Sequence, residues 1–155
     1  MEQQGSDQST YPKNLCCQIV KNSWDAIIYS DRDGIIHLWN QGAERIFGYP
    51  ATEALGQSLN LIIPERWRQR HWEGYRRVMA SGVTKYGQQL LAVPGKRKDN
   101  QPLSLEFSVV LIKADSGQVL GAAAIMRDVT ARWQKDKEIL RRLTHLESQI
   151  DRKEG

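Results

Sequence analysis

Residues 31–59 read DRDGIIHLWNQGAERIFGYPATEALGQSL, and this stretch decides the fold. Its Asp33-Gly34 pair is typical of a tight turn, and it joins two runs rich in strand-forming residues, 26–30 and 35–40. The next segment, residues 41–47, has apolar side chains at helical spacing and is followed by Gly and Pro, which end helices. The stretch therefore predicts a β-hairpin followed by a short helix.

Outward from this stretch, the sequence predicts one longer helix and three further strands. The helix begins near Pro64 and ends near Gly82, because proline suits a first helical position and glycine suits the position after the last. One face of it is expected to carry Trp67, His71, Tyr75 and Val78. The strands are predicted at 88–93, 103–113 and 119–127, with turns containing Gly95, Asn100 and Gly117 between the runs. This order favours an α+β fold with one five-stranded antiparallel sheet and its helices on one face. Its concave face is the expected small-molecule site.

The chain divides into four parts by composition. Residues 1–12 are polar and are predicted to be a disordered tail. Residues 13–22 have amphipathic spacing and are predicted to form a flanking helix. Residues 23–130 form the expected domain, and residues 131–155 are highly charged and predicted to be a C-terminal helix. A length of 155 residues fits one domain with such flanks.

Composition excludes several classes of protein. The net charge of +4 is too small to indicate nucleic-acid binding. No apolar run approaches the roughly 20 residues that cross a bilayer, and the N-terminus lacks a signal-peptide pattern, so a cytoplasmic protein is expected. Cys16 and Cys17 are adjacent and form no zinc motif. No nucleophile triad or carboxylate pair stands out, so we do not expect an enzyme.

Four motifs together resemble the PAS sensor domains. They are residues 31–59 quoted above, IIPERWRQRH at 62–71, GKRKDN at 95–100 and IMRDVTAR at 125–132. The resemblance implies a five-stranded sheet that cups a ligand, with Asn40 at a strand-to-helix turn. It also implies that the Asp128-Val129-Thr130 triplet joins the domain to a signalling helix. A PAS domain is therefore expected to sense a ligand and to relay the change through that helix.

The segment 70–100 resembles the heme-binding, oxygen-sensing subclass of PAS domains, of the FixL and direct oxygen sensor type. The resemblance implies heme b as cofactor and His71 as the proximal iron ligand. It places Arg77 on a residue that contacts a heme propionate, and Phe107 and Val109 on the distal wall. The arginines near His71 are consistent with an anionic heme, and a neutral imidazole is a good iron ligand.

The distal positions depart from the oxygen sensors. Leu91 stands where those proteins carry a distal arginine, and Gln89 lies near the position of an axial methionine in the enteric sensor. Leucine cannot donate a hydrogen bond to dioxygen. Carbon monoxide or nitric oxide is therefore favoured over dioxygen as the diatomic ligand. Redox sensing through water or a second protein ligand is left open.

Two other functions remain open from the sequence. In one, His71 is a half-exposed helix residue and the domain is a cofactor-free module for dimerisation or protein interaction. In the other, a flavin binds non-covalently, since aromatic rings stack on its ring system. The candidate stacking residues are Trp24, Trp39, Trp67 and Trp72. The visible spectrum of the purified protein discriminates among these possibilities.

The C-terminal segment carries a coiled-coil pattern. Ile139, Leu143, Leu146 and Ile150 are spaced by four, three and four residues. This stripe predicts a homodimer that signals to a downstream effector, either in cis or in trans. The alternative is a helix that folds back on its own domain.

Overall fold

The computed structural model describes residues 11–84 and 90–154. Its helices are α1 (Leu15–Asn22), α2 (Gln41–Phe47), α3 (Ala51–Ala54), a 3-10 helix (Leu59–Leu61), α4 (Glu65–Ser81) and α5 (Thr130–Glu154). Its strands are β1 (Ala26–Asp31), β2 (Ile36–Trp39), β3 (Leu91–Lys96), β4 (Pro102–Lys113) and β5 (Val119–Asp128). The predicted succession of a hairpin, helices and three further strands is confirmed.

The five strands form one antiparallel sheet in the order β2-β1-β5-β4-β3. The predicted α+β fold is therefore confirmed. The prediction for the third strand, residues 88–93, is wrong at its end, because β3 continues through Pro94 and Gly95 to Lys96. Pro94 is tolerated because β3 is an edge strand, where one ladder hydrogen bond can be absent. Residues 88 and 89 lie outside the described residues.

The hydrophobic core lies between the inner face of the sheet and the short helices. Side chains of β1 alternate between buried and half-buried positions, as in a sheet with one buried face, and the first residues of β4 and β5 follow the same alternation. The buried core residues are Ala26, Ile28, Ile36, Trp39, Ala43, Ile46, Phe47, Ala54, Leu59, Ile62, Leu103, Leu105 and Met126. Trp72, Tyr75 and Phe107 are only partly buried and pack against this core.

The predicted hairpin turn between β1 and β2 is confirmed. Gly34 has φ of 76°, a left-handed conformation that glycine adopts without strain. The Asp31 carboxylate accepts hydrogen bonds from the backbone amides of Asp33 and Ile35, each at 3.0 Å. Partial burial raises the pKa of Asp31, but hydrogen bonds from His37 and these amides outweigh it, so the net shift is downward. Asp31 therefore fixes the turn in its ionised form.

Asn40 is buried and joins three elements. Its side-chain oxygen accepts hydrogen bonds from the amides of Ala43 and Ile27, both at 2.9 Å, so it caps α2 and holds β1. Its side-chain nitrogen donates to the carbonyls of Val20 at 2.9 Å and Asp25 at 3.0 Å. The strand-to-helix role implied for Asn40 is confirmed, and this residue also fastens α1 to the domain.

The junction between β5 and α5 is fastened by the predicted triplet. The Asp128 carboxylate accepts hydrogen bonds from the Thr130 amide at 2.9 Å and from the Thr130 hydroxyl at 2.5 Å. The same carboxylate forms an ion pair with Arg97 of the β3–β4 hairpin. The Thr130 hydroxyl oxygen also accepts a hydrogen bond from the amide of Ser104 in β4 at 2.9 Å. The start of α5 is therefore tied to two strands and one hairpin.

The helix α5 projects from the domain. Residues 131–149 are all exposed. The apolar side chains of Ile139, Leu143 and Leu146 are 47%, 52% and 54% exposed. The alternative in which this helix folds back on its own domain is therefore wrong for the described side chains. The side chain of Ile150 lies outside them.

The two cysteines, Cys16 and Cys17, lie on α1 and are free and exposed. In the part of the chain that the structure describes, no helix combines the length and the apolar content that crossing a membrane requires.

Candidate functional site

The helix α4 turns a stripe of aromatic residues toward the sheet. Residues three and four apart on a helix share a face, and His71, Tyr75 and Met79 follow this spacing. Met79 is buried, whereas His71, Trp72 and Tyr75 are half-buried. Trp67, four residues before His71, shares this face as predicted but is 38% exposed, because it lies in the first turn of α4. Trp72, next to His71 in the chain, packs against the core beside the stripe.

His71 lies within a cluster of three rings. Its imidazole stacks on Tyr75, with ring centroids 5.6 Å apart and an interplanar angle of 28°. It meets the ring of Trp72 edge to face, with centroids 4.9 Å apart. The Nδ1 atom of His71 is buried and has no hydrogen-bond partner among the described residues. A buried imidazole nitrogen without a partner is uncommon in proteins and points to a group that the chain itself does not supply.

Burial keeps this imidazole neutral. Loss of solvation lowers the pKa of His71 to about 4 from its ordinary value of 6.5. The neutral form is the one that binds metal ions. At neutral pH, His71 is therefore in the protonation state that an iron ligand needs.

The pKa of His71 gives a pH-dependent stability. Between pH 6.5 and 4 the unfolded chain binds a proton at this residue that the folded chain excludes, so the stabilisation is full above pH 6.5 and falls as the pH is lowered. In heme-free protein we expect this residue to reduce the free energy of unfolding by up to about 3 kcal/mol across that window. Denaturant unfolding of wild type and His71→Leu at pH 7 and pH 4.5 measures the difference.

The control for this titration is His145→Gln, which removes an exposed histidine of α5. It should show the same pH dependence as wild type, while His71→Leu should show a weaker one. If the free energy of unfolding changes equally between pH 7 and pH 4.5 in wild type and in His71→Leu, His71 is accessible to solvent in the folded protein.

The predicted distal residues share one face of the sheet. Leu91 of β3 pairs with Phe107 of β4, and Phe107 pairs in turn with Met126 of β5. Val109 lies two residues from Phe107 on the same strand and therefore on the same face. Phe107 packs against the core on the inner side. Leu91, Phe107 and Val109 are only half-buried, so they form an apolar wall whose side chains are still partly exposed.

Of the two remaining predicted site residues, only Arg77 is among the described residues. Arg77 is exposed on the outward side of α4, since six residues from His71 place it well away from the inward stripe. The propionate contact assigned to Arg77 stays a prediction. Gln89 lies outside the described residues.

Tyr75 and Trp72 hold the cluster in place, and the sequence assigned neither residue this role. The Tyr75 hydroxyl donates to the carbonyl of Asp31 at 2.5 Å and lies 2.9 Å from the Ser30 hydroxyl. The Trp72 indole donates to the side-chain oxygen of Asn60 at 2.9 Å, and its ring lies over Gly34 so closely that a Cβ there would be 2.2 Å away. The spacing of Tyr75, four residues after His71, is the sequence signal for the ring contact.

The four tryptophans considered for a flavin do not converge. Trp39 packs in the core against Phe47, with centroids 5.4 Å apart, and donates to the carbonyl of Tyr49. Trp24 is 78% exposed and lies under Arg45. Only Trp72 lies beside His71.

A separate cleft of about 500 Å³ lies where α2 approaches the start of α5. It is lined by Trp24, Asp25, Arg45, Ile46, Arg127, Asp128 and Ala131. Arg127 and Asp25 form a bidentate ion pair there, with N–O distances of 2.9 and 2.7 Å. Four of its seven lining residues are charged, so the cleft does not suit the apolar faces of a porphyrin.

The residues around His71 fit a heme in two respects. They offer one neutral imidazole with a buried, unpartnered nitrogen, and its neighbours Trp72 and Tyr75 pack against the same core as Phe107 of the half-buried apolar wall. The described residues contain no group of three or more His, Cys, Asp or Glu that would hold a bare metal ion. Heme iron is already held by four porphyrin nitrogens, so it needs only one or two protein ligands.

Comparison with known sequences gives distant sensor proteins. The chain is 33% identical over 129 residues to Sensor protein FixL of Bradyrhizobium diazoefficiens, a match that covers 81% of this chain and 24% of FixL. It is 24% identical over 133 residues to Oxygen sensor protein DosP of Escherichia coli, covering 84% of this chain and 16% of DosP. The chain therefore matches about a quarter or less of the length of these relatives.

Comparison with solved structures gives the same fold. The PAS domain of a protein from Colwellia psychrerythraea has a TM-score of 0.67 and 24% identity, and the match covers 76% of this chain and 97% of that one. An RNA-binding Light-Oxygen-Voltage receptor has a TM-score of 0.71 and 20% identity, with coverage of 93% and 40%. The sequence profile described as PAS fold matches residues 20–134, about three quarters of the chain. The chain therefore belongs to the PAS fold family.

Proposed function

We propose that this PAS domain binds one heme b through His71 and senses a diatomic gas or the redox state of the iron. The buried, unpartnered nitrogen of His71 is the observation that carries the proposal, and Tyr75, which stacks on His71, packs against the same core as Phe107 of the half-buried apolar wall. When bound, the heme supplies the iron centre at which a gas or an electron is received. His71 would supply an imidazole ligand, Leu91, Phe107 and Val109 would supply an apolar wall, and β5 would connect the site to α5.

The ligand preference follows from the wall that faces the site. Leu91, Phe107 and Val109 have no hydrogen-bond donor in their side chains. Dioxygen is non-polar when free but becomes polarised when iron binds it, so it would gain from a donor, whereas carbon monoxide depends less on one. We therefore propose carbon monoxide or nitric oxide ahead of dioxygen. The similarity to the oxygen sensor DosP supports the general class of ligand.

The output is proposed to pass along α5 to an effector, in cis or in trans, within a homodimer. The helix follows β5 directly, and its apolar stripe is exposed. In this proposal the domain is a sensor rather than a catalyst.

Titration of the purified protein with hemin tests the proposal. We expect a Soret band that saturates at an equimolar ratio and, after reduction, moves when carbon monoxide is added. The same protein titrated with FMN is the matched comparison for a flavin. Saturation by FMN but not by hemin would mean that the domain binds a flavin instead of heme. No spectral change with either compound would mean that the domain is the cofactor-free interaction module.

A further inference from the structure

Tyr75 connects the imidazole of His71 to the central strands of the sheet. On one side its ring stacks on His71, with a centroid distance of 5.6 Å. On the other side its hydroxyl donates to the carbonyl of Asp31 at 2.5 Å. A phenol has one proton, so the Ser30 hydroxyl, 2.9 Å away, is the donor in its bond with Tyr75. One side chain therefore touches both the candidate ligand and two consecutive residues of β1.

The position of Tyr75 is well fixed. Trp72 meets its ring edge to face, with centroids 5.5 Å apart, and Trp72 is itself held by Asn60 and Gly34. The Ser30 side chain that bonds the phenol is buried, with 3% exposure. Because these contacts are closely packed, a displacement of the His71 ring should be transmitted through Tyr75 to β1.

From β1, a continuous ladder leads to α5. Ser30 pairs with Ala122, and Ala26 pairs with Met126, so β1 lies along β5 over its whole length. The last residue of β5, Asp128, accepts the hydrogen bonds that begin α5. The site and the output helix are thus joined by one side chain and one pair of strands.

We propose that Tyr75 is a positioning residue with two separable roles, in which its ring orients the His71 imidazole and its hydroxyl couples that imidazole to β1. This inference rests on the proposed function for the identity of the bound group. The contact itself belongs to the heme-free protein and is testable there.

Two variants separate the roles. Tyr75→Phe keeps the ring and removes the hydroxyl, whereas Tyr75→Leu removes both. Ser30→Ala removes the hydroxyl partner of Tyr75 on the strand side and leaves the Tyr75 ring and hydroxyl in place. In hemin-loaded, reduced protein, we expect the iron–histidine stretching band to be unchanged in Tyr75→Phe and shifted or broadened in Tyr75→Leu. A band that is unchanged in Tyr75→Leu would overturn the orienting role of the ring.

Hydrogen exchange measures the coupling. Adding carbon monoxide to the reduced protein should change the exchange rates of amides in β1 and β5 in wild type. We expect that change to fall at least fivefold in Tyr75→Phe and in Ser30→Ala, while the affinity of Ser30→Ala for carbon monoxide changes less than threefold. An undiminished change in both variants would overturn the coupling role.

A double-mutant cycle in heme-free protein makes the inference independent of the cofactor. The free energies of unfolding of His71→Leu, Tyr75→Phe and the double variant should be non-additive if the hydroxyl and the imidazole are linked. Additive effects would overturn the link even in a protein that binds heme. Non-additive effects in a protein that takes up no hemin would refute the proposed function and leave the link standing.

Discussion

Replacing His71 with alanine should weaken hemin binding about a hundredfold or more and shift the Soret band of whatever heme remains bound. Loss of the only proposed axial ligand removes the one bond between iron and protein, and changes even to groups that merely support a ligand cost 10- to 100-fold. A hundredfold loss corresponds to about 2.7 kcal/mol of binding free energy. Absorbance titration of wild type and variant with hemin measures it.

Two controls accompany the alanine variant. His37→Ala removes the exposed imidazole that pairs with Asp31 at 2.6 Å and should leave hemin affinity unchanged. His71→Gly opens a space where free imidazole can replace the side chain, so added imidazole should restore the wild-type spectrum. An identical spectrum and affinity in wild type and His71→Ala would exclude this residue as the ligand.

Placing glutamate at both Leu143 and Leu146 should abolish dimerisation through α5. Both side chains are about half exposed and lie on the stripe at heptad-like spacing. Each glutamate would place an unpaired charge in the seam, which should cost association at least about 3 kcal/mol, more than a hundredfold in the dissociation constant. Sedimentation equilibrium across a concentration series measures the change.

The matched control is Thr144→Glu with Ser148→Glu, which adds the same charge to exposed positions of α5 away from the stripe. This variant should dimerise as wild type does. Wild-type protein that stays monomeric at tens of micromolar, or a Leu143/Leu146 variant that associates normally, would contradict the role of the stripe.

Local sequence signals predict much of this fold. The Asp33-Gly34 turn, the helix that begins after Pro64 and the strands on either side of Gly117 all depend on near neighbours in the chain, and each is found in the structure. The strand β3 was misplaced because its extent is set by pairing with β4. Local propensity contains no information on that pairing, and it disfavours Pro94 and Gly95 in a strand.

The candidate site likewise combines features that the sequence predicts with contacts between residues far apart in the chain, which it does not predict. Residue type and resemblance predict His71, Leu91 and Phe107 as site residues, and that assignment stays a prediction. Sequence does not predict that the Tyr75 hydroxyl meets Asp31, because the two residues are 44 positions apart. The pairing of Arg97 with Asp128, 31 positions apart, is equally hidden until the hairpin and the end of β5 are placed side by side.

The hydrogen-bonded start of α5 has a consequence for engineered fusions. Since β5 ends at Asp128 and α5 begins at Thr130, no flexible linker separates sheet from helix. Each residue inserted after Thr130 should rotate the downstream helix by about 100° and advance it by about 1.5 Å. Activity of chimeras with an effector module should therefore vary periodically with linker length, and insertions of seven residues should restore the phase that single insertions destroy.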